Sequence, residues 1–448
     1  MEHDRAKSLF ALWVLFAINT MNFFDRQILG AVTEPIRKDW GLTDTQIGML
    51  GTAFTLLYAA VGIPLGRLAD VWNRRSLISI GLAVWSALTF ASGLCRGFWT
   101  LFAVRLGVGV GEAVCAPTSS SLIGDLFRPQ ERARALSVFM LGLPVGIALS
   151  YIVSGTIAQH FGWQAAFFVA GIPGIVLAGI TLLLVEPPRG TTEQQNIGTA
   201  RRPGSPYWIV LSIPTMWWII ASGALHNFNM YAIGSFLPAF LIRFHGVTLQ
   251  TAGFISGIVI GSVGALGMLI GGWSADWLVR RRANGRLLVA GFALLISAPA
   301  IYLALEQPRG ALVPFMLCQG LASMMMYVYY ATVYSTIHDI IEPALRGTAM
   351  ALYFFAMYVL GASLGPLGTG WASDFFARRA AAGAGVILAP HDPIPESFRA
   401  AGLHSAMYLL PVLGILLVAV LFAGSLTVRK DMLKLQDWMA ECSSQGTT

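Results

Sequence analysis

Apolar residues in this chain come in long runs, broken by short polar segments rich in arginine, glycine and proline. A helix that crosses a bilayer needs about 20 predominantly apolar residues. On that ruler the chain predicts twelve spanning helices, over 8–33, 44–66, 76–95, 99–123, 137–159, 164–185, 212–241, 249–272, 286–305, 311–338, 348–372 and 404–427. The polar stretch from Pro187 to Tyr207, with Pro187-Pro188, Thr191-Thr192, Gln194-Gln195 and Arg201-Arg202, reads as a linker. The expected organisation is a six-helix bundle over 1–186, a cytoplasmic linker over 187–207, a second six-helix bundle over 208–428 and a cytoplasmic tail over 429–448. In the tail, Val428, Met432, Leu435, Trp438 and Met439 recur at helical spacing, with Arg429, Lys430 and Lys434 elsewhere on the wheel. That pattern predicts an amphipathic helix lying on the membrane surface. The fold class is an all-α membrane protein with two pseudo-symmetric halves.

The halves repeat a short signature. Gly66-x-x-x-Asp70-x-x-x-Arg74-Arg75 returns as Gly272-x-x-x-Asp276-x-x-x-Arg280-Arg281, each after an apolar helix. Arg132 and Arg346 stand at one register before Ala135 and Ala349. A duplicated membrane chain has two halves able to rock about a central site, which is what a carrier requires. The fifth helix carries Gly142, Pro144 and Gly146, and the eleventh carries Gly361, Gly365, Pro366, Gly368 and Gly370. Small residues let helix backbones approach closely in lipid, so these two helices predict a packed but slidable seam.

Composition agrees. Of 448 residues, 56% are hydrophobic and 11% charged, against roughly 25% charged in a soluble protein. The net charge of +7 reads as loop arginines that fix topology, not as a nucleic-acid surface. Lys and Arg are concentrated in the loops on the N-terminal side, which predicts both termini in the cytoplasm and an inner-membrane location. Ser8 to Val32 is too long for a cleavable signal. Cys95, Cys115, Cys318 and Cys442 show neither disulfide nor metal-ligand spacing. No paired nucleophile and base, metal cluster or phosphate loop appears, so the chain is expected not to be an enzyme, to need no cofactor and to work as a monomer.

Charges inside spans are costly and mark function. The first half holds four: Asp25 and Arg26 in the first helix, Arg105 and Glu112 in the fourth. Arg105 and Glu112 are two turns apart, on one face and about 10 Å apart along the axis. Asp25 and Arg105 fall at similar depth, which makes an Asp25–Arg105 pair feasible. Glu112 lies deeper, with no basic neighbour in its own helix. A carboxylate whose surroundings change has a proton affinity that changes with them. Glu112, Asp25 and Arg105 are thus candidates for proton coupling, and a static clamp between the two helices is the plainer alternative. The second half offers His226, Asn227 and Asn229 in the seventh helix and Tyr327, Tyr329, Tyr330 and Tyr334 in the tenth, with no matching carboxylate. A cavity between the halves would be charged on one side and aromatic on the other, which suits an amphiphilic lipid. Arg26, Arg105, Glu112, His226, Asn227 and Tyr330 are the candidate substrate contacts, with ordinary packing the alternative for the tyrosines and the histidine. In the loops, Asp70 and Asp276 are expected to cap a helix of the facing half or to pair with Arg134 or Arg346. With Arg74 and Arg280, these are the candidate gating residues.

These motifs resemble the major facilitator superfamily. The similarity rests on the Gly-x-x-x-Asp-x-x-x-Arg-Arg loop (with Asn73 where glycine is usual), Arg105-x-x-x-Gly109, Gly142-x-Pro144-x-Gly146 and Gly162-Trp163-x-x-x-Phe167. Within it the chain is similar to the spinster family, through Asn22-Phe23-Phe24-Asp25-Arg26 and the run from Val108-Gly109-Val110-Gly111-Glu112-Ala113 through Ile123-Gly124-Asp125-Leu126-Phe127 to Arg132-x-Arg134-x-Leu136-Ser137-x-Phe139. The resemblance implies proton-coupled transport of a lysolipid or sphingosine-phosphate-like amphiphile, with Asp25, Arg26, Arg105 and Glu112 at the head-group and proton site. Phe23 and Val114-Cys115 depart from the family's frequent tyrosine and Ser-Tyr. An organic-anion/proton symporter shares Asn22-x-x-Asp25-Arg26 but would need a second cationic ligand, for which His226 is the one candidate. A drug/proton antiporter is the other alternative.

Overall fold

The computed structural model describes residues 2–188, 205–342, 345–389 and 392–445, and contains no strand among them. Most of the expected linker and the last three residues lie outside that set. Among the described residues there are twelve long helices: α1 Glu2–Ala31, α2 Asp44–Val71, α3 Arg74–Ser92, α4 Phe98–Leu126, α5 Arg134–Phe161, α6 Trp163–Thr181, α7 Pro214–His245, α8 Leu249–Val279, α9 Gly285–Leu305, α10 Leu312–Ile340, α11 Arg346–Gly383 and α12 Glu396–Met439. Eleven are apolar enough to count as spans on composition alone. The exception is α7, which is diluted by His226, Asn227 and Asn229, yet its 32 residues reach about 48 Å.

Local chemistry sets the helix ends. Thr43 opens α2 with a capping box: its hydroxyl accepts from the Gln46 N–H, and the Gln46 side chain accepts from the Thr43 N–H. Asn73, the departure within the first signature, caps α3 by accepting from the Ser76 N–H at 2.9 Å. Gly41 and Gly246, with φ of 63° and 71°, close the short helix Thr33–Trp40 and α7 in the left-handed conformation that glycine adopts without strain.

Two contacts orient the bundle. Arg243, at the end of α7, meets Glu34, just past the end of α1. Asp431, late in the last helix, accepts from the N–H of Thr215 at the start of α7. The beginnings of α1 and α7 and the end of α12 therefore share one face, the terminal face, and Glu34 and Arg243 mark the opposite, far face. The tail differs from the surface helix expected. One uninterrupted helix runs over Leu409–Gln445, 37 residues or about 55 Å, so the tail continues α12 without a break.

The seam between the halves pairs α5 with α8 and α2 with α11. A Cβ on Gly48 of α2 would lie 2.3 Å from the carbonyl oxygen of Pro366 on α11, and one on Gly253 of α8 would lie 2.3 Å from that of Tyr151 on α5. Of the small residues the sequence singled out, Pro366 and Gly370 of α11 meet α2 across the seam, whereas Gly142 and Gly146 of α5 pack on α1, and Gly361, Gly365 and Gly368 of α11 pack on α7, each within its own half. Both seam helices of the C-terminal half contain a π-helical segment, Gly257–Ser262 in α8 and Met357–Ala362 in α11.

The signature loops do not bridge the halves. Arg74, fully buried, pairs with Asp125 and with Glu186 at 2.9 Å and donates to the Pro187 carbonyl at 2.9 Å, all within its own half. Arg286 does the same in the other half, with Asp339 and with Asp276 at 3.7 Å. Arg134, Arg280 and Arg346 are exposed, and the side chain of Asp70 lies outside the described residues. Asp276 therefore pairs with Arg286 of its own half, not with Arg134 or Arg346 as the sequence suggested. Arg286 and Asp339 make the second-half counterpart of Arg74 and Asp125.

Candidate functional site

Successive residues on a helix point about 100° apart, and that angle divides the roles of Asp25 and Arg26. Arg26 points to the seam. Its Nε donates to Glu112 Oε2 at 2.8 Å, and its Nη1 donates to the Tyr358 hydroxyl of the other half at 3.3 Å. Its guanidinium lies 4.3 Å from the ring centre of Tyr58, 4.9 Å from Phe23 and 5.3 Å from Phe54, a cation–π box that holds it in place. Side-chain exposure is 4% for Arg26 and 0% for Glu112.

Asp25 points back into its own half. Its Oδ2 accepts from Thr89 at 3.4 Å, and its Oδ1 has no partner. Arg105 reaches the main-chain carbonyl of Asp25, at 3.4 Å, and not the carboxylate. The Asp25–Arg105 ion pair suggested by their common depth is thus replaced by an Arg26–Glu112 pair, with Arg105 left without a carboxylate within 4.0 Å among the described residues. Glu112 ends the first segment of α4, Phe98–Glu112; Ala113 and Val114 form a turn before the helix resumes at Cys115. Glu112 Oε1 has no hydrogen-bond partner, while Oε2 holds Arg26.

The C-terminal half presents tyrosines. Tyr358 sits on the π-helical segment of α11, where the wider turn re-aims side chains. Its ring lies 5.0 Å from Tyr58 and 6.2 Å from Tyr231. Tyr330 and Tyr334 of α10 stack edgewise at 5.7 Å and are partly exposed. His226 is fully buried behind them, stacked on Tyr329 at 4.0 Å, with neither ring nitrogen hydrogen-bonded. Asn227, 1% exposed, donates to the Gly223 carbonyl of its own helix. Of the three residues the sequence nominated in this half, only Tyr330 reaches open space. The residues it missed are Phe54, Tyr58, Tyr231 and Tyr358, aromatic side chains among many on apolar helices, with nothing in their spacing to separate them from core.

A second cluster, which sequence reasoning left among the loop charges, joins the halves at the far face. Arg243 donates to both oxygens of Asp44, at 2.7 and 2.8 Å, and to Glu34 at 2.7 Å. Arg37 binds Glu34 and grips Glu396 with two bonds of 2.8 Å. Asp374 of α11 accepts from Thr45 N–H and hydroxyl, and Ser373 donates to Asp44. Below this clasp, Thr52 donates to the Ser363 carbonyl, and the Thr55 and Ser363 hydroxyls share a bond of 2.9 Å. Among the described residues, every hydrogen bond and ion pair between the halves lies between the clasp and the level of Arg26 and Tyr358. No group of three potential metal ligands occurs among them.

The family model of the Major Facilitator Superfamily matches residues 15–366. An MFS-type efflux pump of Mycolicibacterium smegmatis is 31% identical over 374 residues, covering 83% of this chain and 86% of the relative. Protein spinster homolog 1 of Mus musculus is 31% identical over 407 residues, covering 84% and 75%. A crystal structure of a bacterial homolog to the human lysosomal transporter Spinster, in an inward-facing and unoccupied conformation, superposes with a TM-score of 0.85 at 28% identity, covering 95% of this chain and 98% of that one. Helix order, seam and sequence agree: this integral membrane chain belongs to the Major Facilitator Superfamily, in its spinster branch, and is a transporter and not an enzyme.

Proposed function

We propose that the protein is a proton-coupled secondary transporter of a lysolipid or sphingosine-phosphate-like amphiphile, working by alternating access in the cell membrane with both termini in the cytoplasm. The observation that carries this reading is the Glu112–Arg26–Tyr358 chain. One guanidinium holds the buried carboxylate of one half and a hydroxyl of the other. A phosphate head group that takes Arg26 strips Glu112 of its counter-charge, and an unpaired buried carboxylate neutralises itself by taking a proton. Proton and substrate are then taken up together around one arginine, and loss of the Tyr358 contact lets the halves part. The partly exposed Tyr330 and Tyr334 offer apolar faces to an acyl chain. The likeness to spinster proteins supports the lipid class, and the bias of Lys and Arg toward the terminal face supports the orientation. With the far face clasped, the state described is closed on the side opposite the termini.

The test is reconstitution into liposomes with uptake of a radiolabelled lysolipid, with and without a pH gradient. The proposal predicts gradient-dependent lysolipid uptake and none of a dicarboxylate. Uptake of the dicarboxylate alone would favour the organic-anion symporter, and transport of unrelated cationic dyes alone would favour an efflux pump.

A further inference from the structure

Between Arg26 and the far-face clasp lies a small, partly enclosed cavity of about 30 Å³, whose lining includes Arg26 and Gln27 of α1, Thr55 of α2, Arg105 of α4, and Tyr231 and Ser235 of α7. That space is enough for one or two waters or a small monatomic anion. Arg105 is 1% exposed, and its Nε and Nη1 have no hydrogen-bond partner. Its remaining nitrogen has only the Asp25 carbonyl at 3.4 Å. Glu112 is committed to Arg26. A buried guanidinium without a paired counter-charge is among the costlier arrangements in a protein interior, and here it lines a cavity that also presents the side chains of Gln27, Thr55, Tyr231 and Ser235, with Leu29 and Phe54 as apolar wall.

We propose that this cavity is a binding site for a monatomic halide, chloride under ordinary conditions, held by Arg105 with Arg26 beside it. Tyr231 and Ser235 belong to the C-terminal half, so the site is complete only while the halves meet on the far side. The ion therefore favours the far-closed state, since a ligand shifts an equilibrium toward the conformation that binds it. The four central charges, on Asp25, Arg26, Arg105 and Glu112, sum to zero. An added anion is balanced when one of the two carboxylates takes a proton, so the halide binds more tightly as pH falls. The other ionisable groups facing these carboxylates and guanidiniums are Tyr58 of α2, Cys115 of α4, Tyr231 of α7 and Tyr358 of α11.

The test uses the purified full-length protein with sodium chloride or sodium bromide replacing sodium gluconate at fixed ionic strength. The expected result is a saturable rise in the thermal unfolding midpoint that is larger at lower pH, and an anomalous bromide peak beside Arg105 in crystals. Arg105→Gln is expected to weaken halide binding at least about tenfold, the scale of a charge-assisted hydrogen bond. Ser235→Leu, which fills the cavity and leaves all four charges in place, is expected to abolish it. If Arg105→Gln does not fold, Ser235→Leu and the bromide peak decide. Equal midpoints in chloride and gluconate, a cavity holding water and no bromide, or undiminished binding in Ser235→Leu would each overturn the proposal. None of these readouts involves the transported lipid, so they stand or fall apart from the function proposed above.

Discussion

Arg243 is held by two carboxylates, Glu34 and Asp44, with all three side chains 4% exposed or less. Removing the cation leaves two buried acids facing each other, and breaking such a pair costs about 3–5 kcal/mol. Arg243→Gln is therefore expected to open the far face, read as a longer distance between spin labels at the exposed positions Leu94 and Ile387 in a cysteine-free background. Glu34 gives the clasp a pH dependence. Burial pushes its proton affinity up, but Arg243 and Arg37 more than reverse this and hold it below the ordinary carboxylate value. A carboxylate lowered by folding stabilises the folded contact above its unfolded value, near 4.5, and loses that contribution as pH falls through the lowered one. The same label pair is thus expected to stay short at neutral pH and lengthen only well into acid. At this scale the sequence was legible in depth but not in azimuth. Counting residues placed Asp25 and Arg105 at one height, and they do meet, but through a main-chain carbonyl. Which of two adjacent residues faces the seam depends on a helix rotation that no rise-per-residue count contains, so the Arg26–Glu112 pair was not foreseen. The clasp was missed for another reason: Glu34, Arg37, Asp44 and Arg243 lie in loops or at helix ends, where charges are ordinarily solvated.

The elements most sensitive to change are those whose backbones touch. Alanine at Gly253 would place a methyl 2.3 Å from the Tyr151 carbonyl oxygen, and a backbone atom of a packed helix cannot move aside cheaply. Gly253→Ala is expected to loosen the α5–α8 crossing and reduce the far-closed population by the same spin-label distance. Gly272→Ala is the contrast: a Cβ there meets nothing within 4 Å in this state, and no change is expected. Spanning helices were the most legible feature of the chain, because apolar run length alone fixes them; the 44–66 span observed as Asp44–Val71 is typical. The π-helical segments of α8 and α11 were invisible, since Gly257–Ser262 and Met357–Ala362 are ordinary apolar stretches. The tail reads as amphipathic either way, and its hydrogen-bonded tie through Asp431 to Thr215 at 2.6 Å decides for a continuous helix.

For the whole molecule, duplication fixed the architecture but the halves are not chemically equivalent. Each carries its own arginine–carboxylate lock on the terminal face, around Arg74 and around Arg286, while the central charges belong to one half and the tyrosines to the other. The two locks are internal to their halves, so they stiffen the bundles as rigid bodies. The far-face clasp is what must break for the halves to rock. Tyr358→Phe, which removes the one hydroxyl that ties Arg26 across the seam, is expected to speed exchange between the two states while leaving the Glu112–Arg26 pair intact, measured as faster lysolipid counterflow with an unchanged gradient dependence. The central claim is that Glu112 carries the coupled proton. Gradient-driven lysolipid uptake by Glu112→Gln in liposomes tests it most directly. The account predicts that the pH gradient no longer drives accumulation while substrate exchange at equal pH persists; full gradient-driven accumulation by this variant would contradict it.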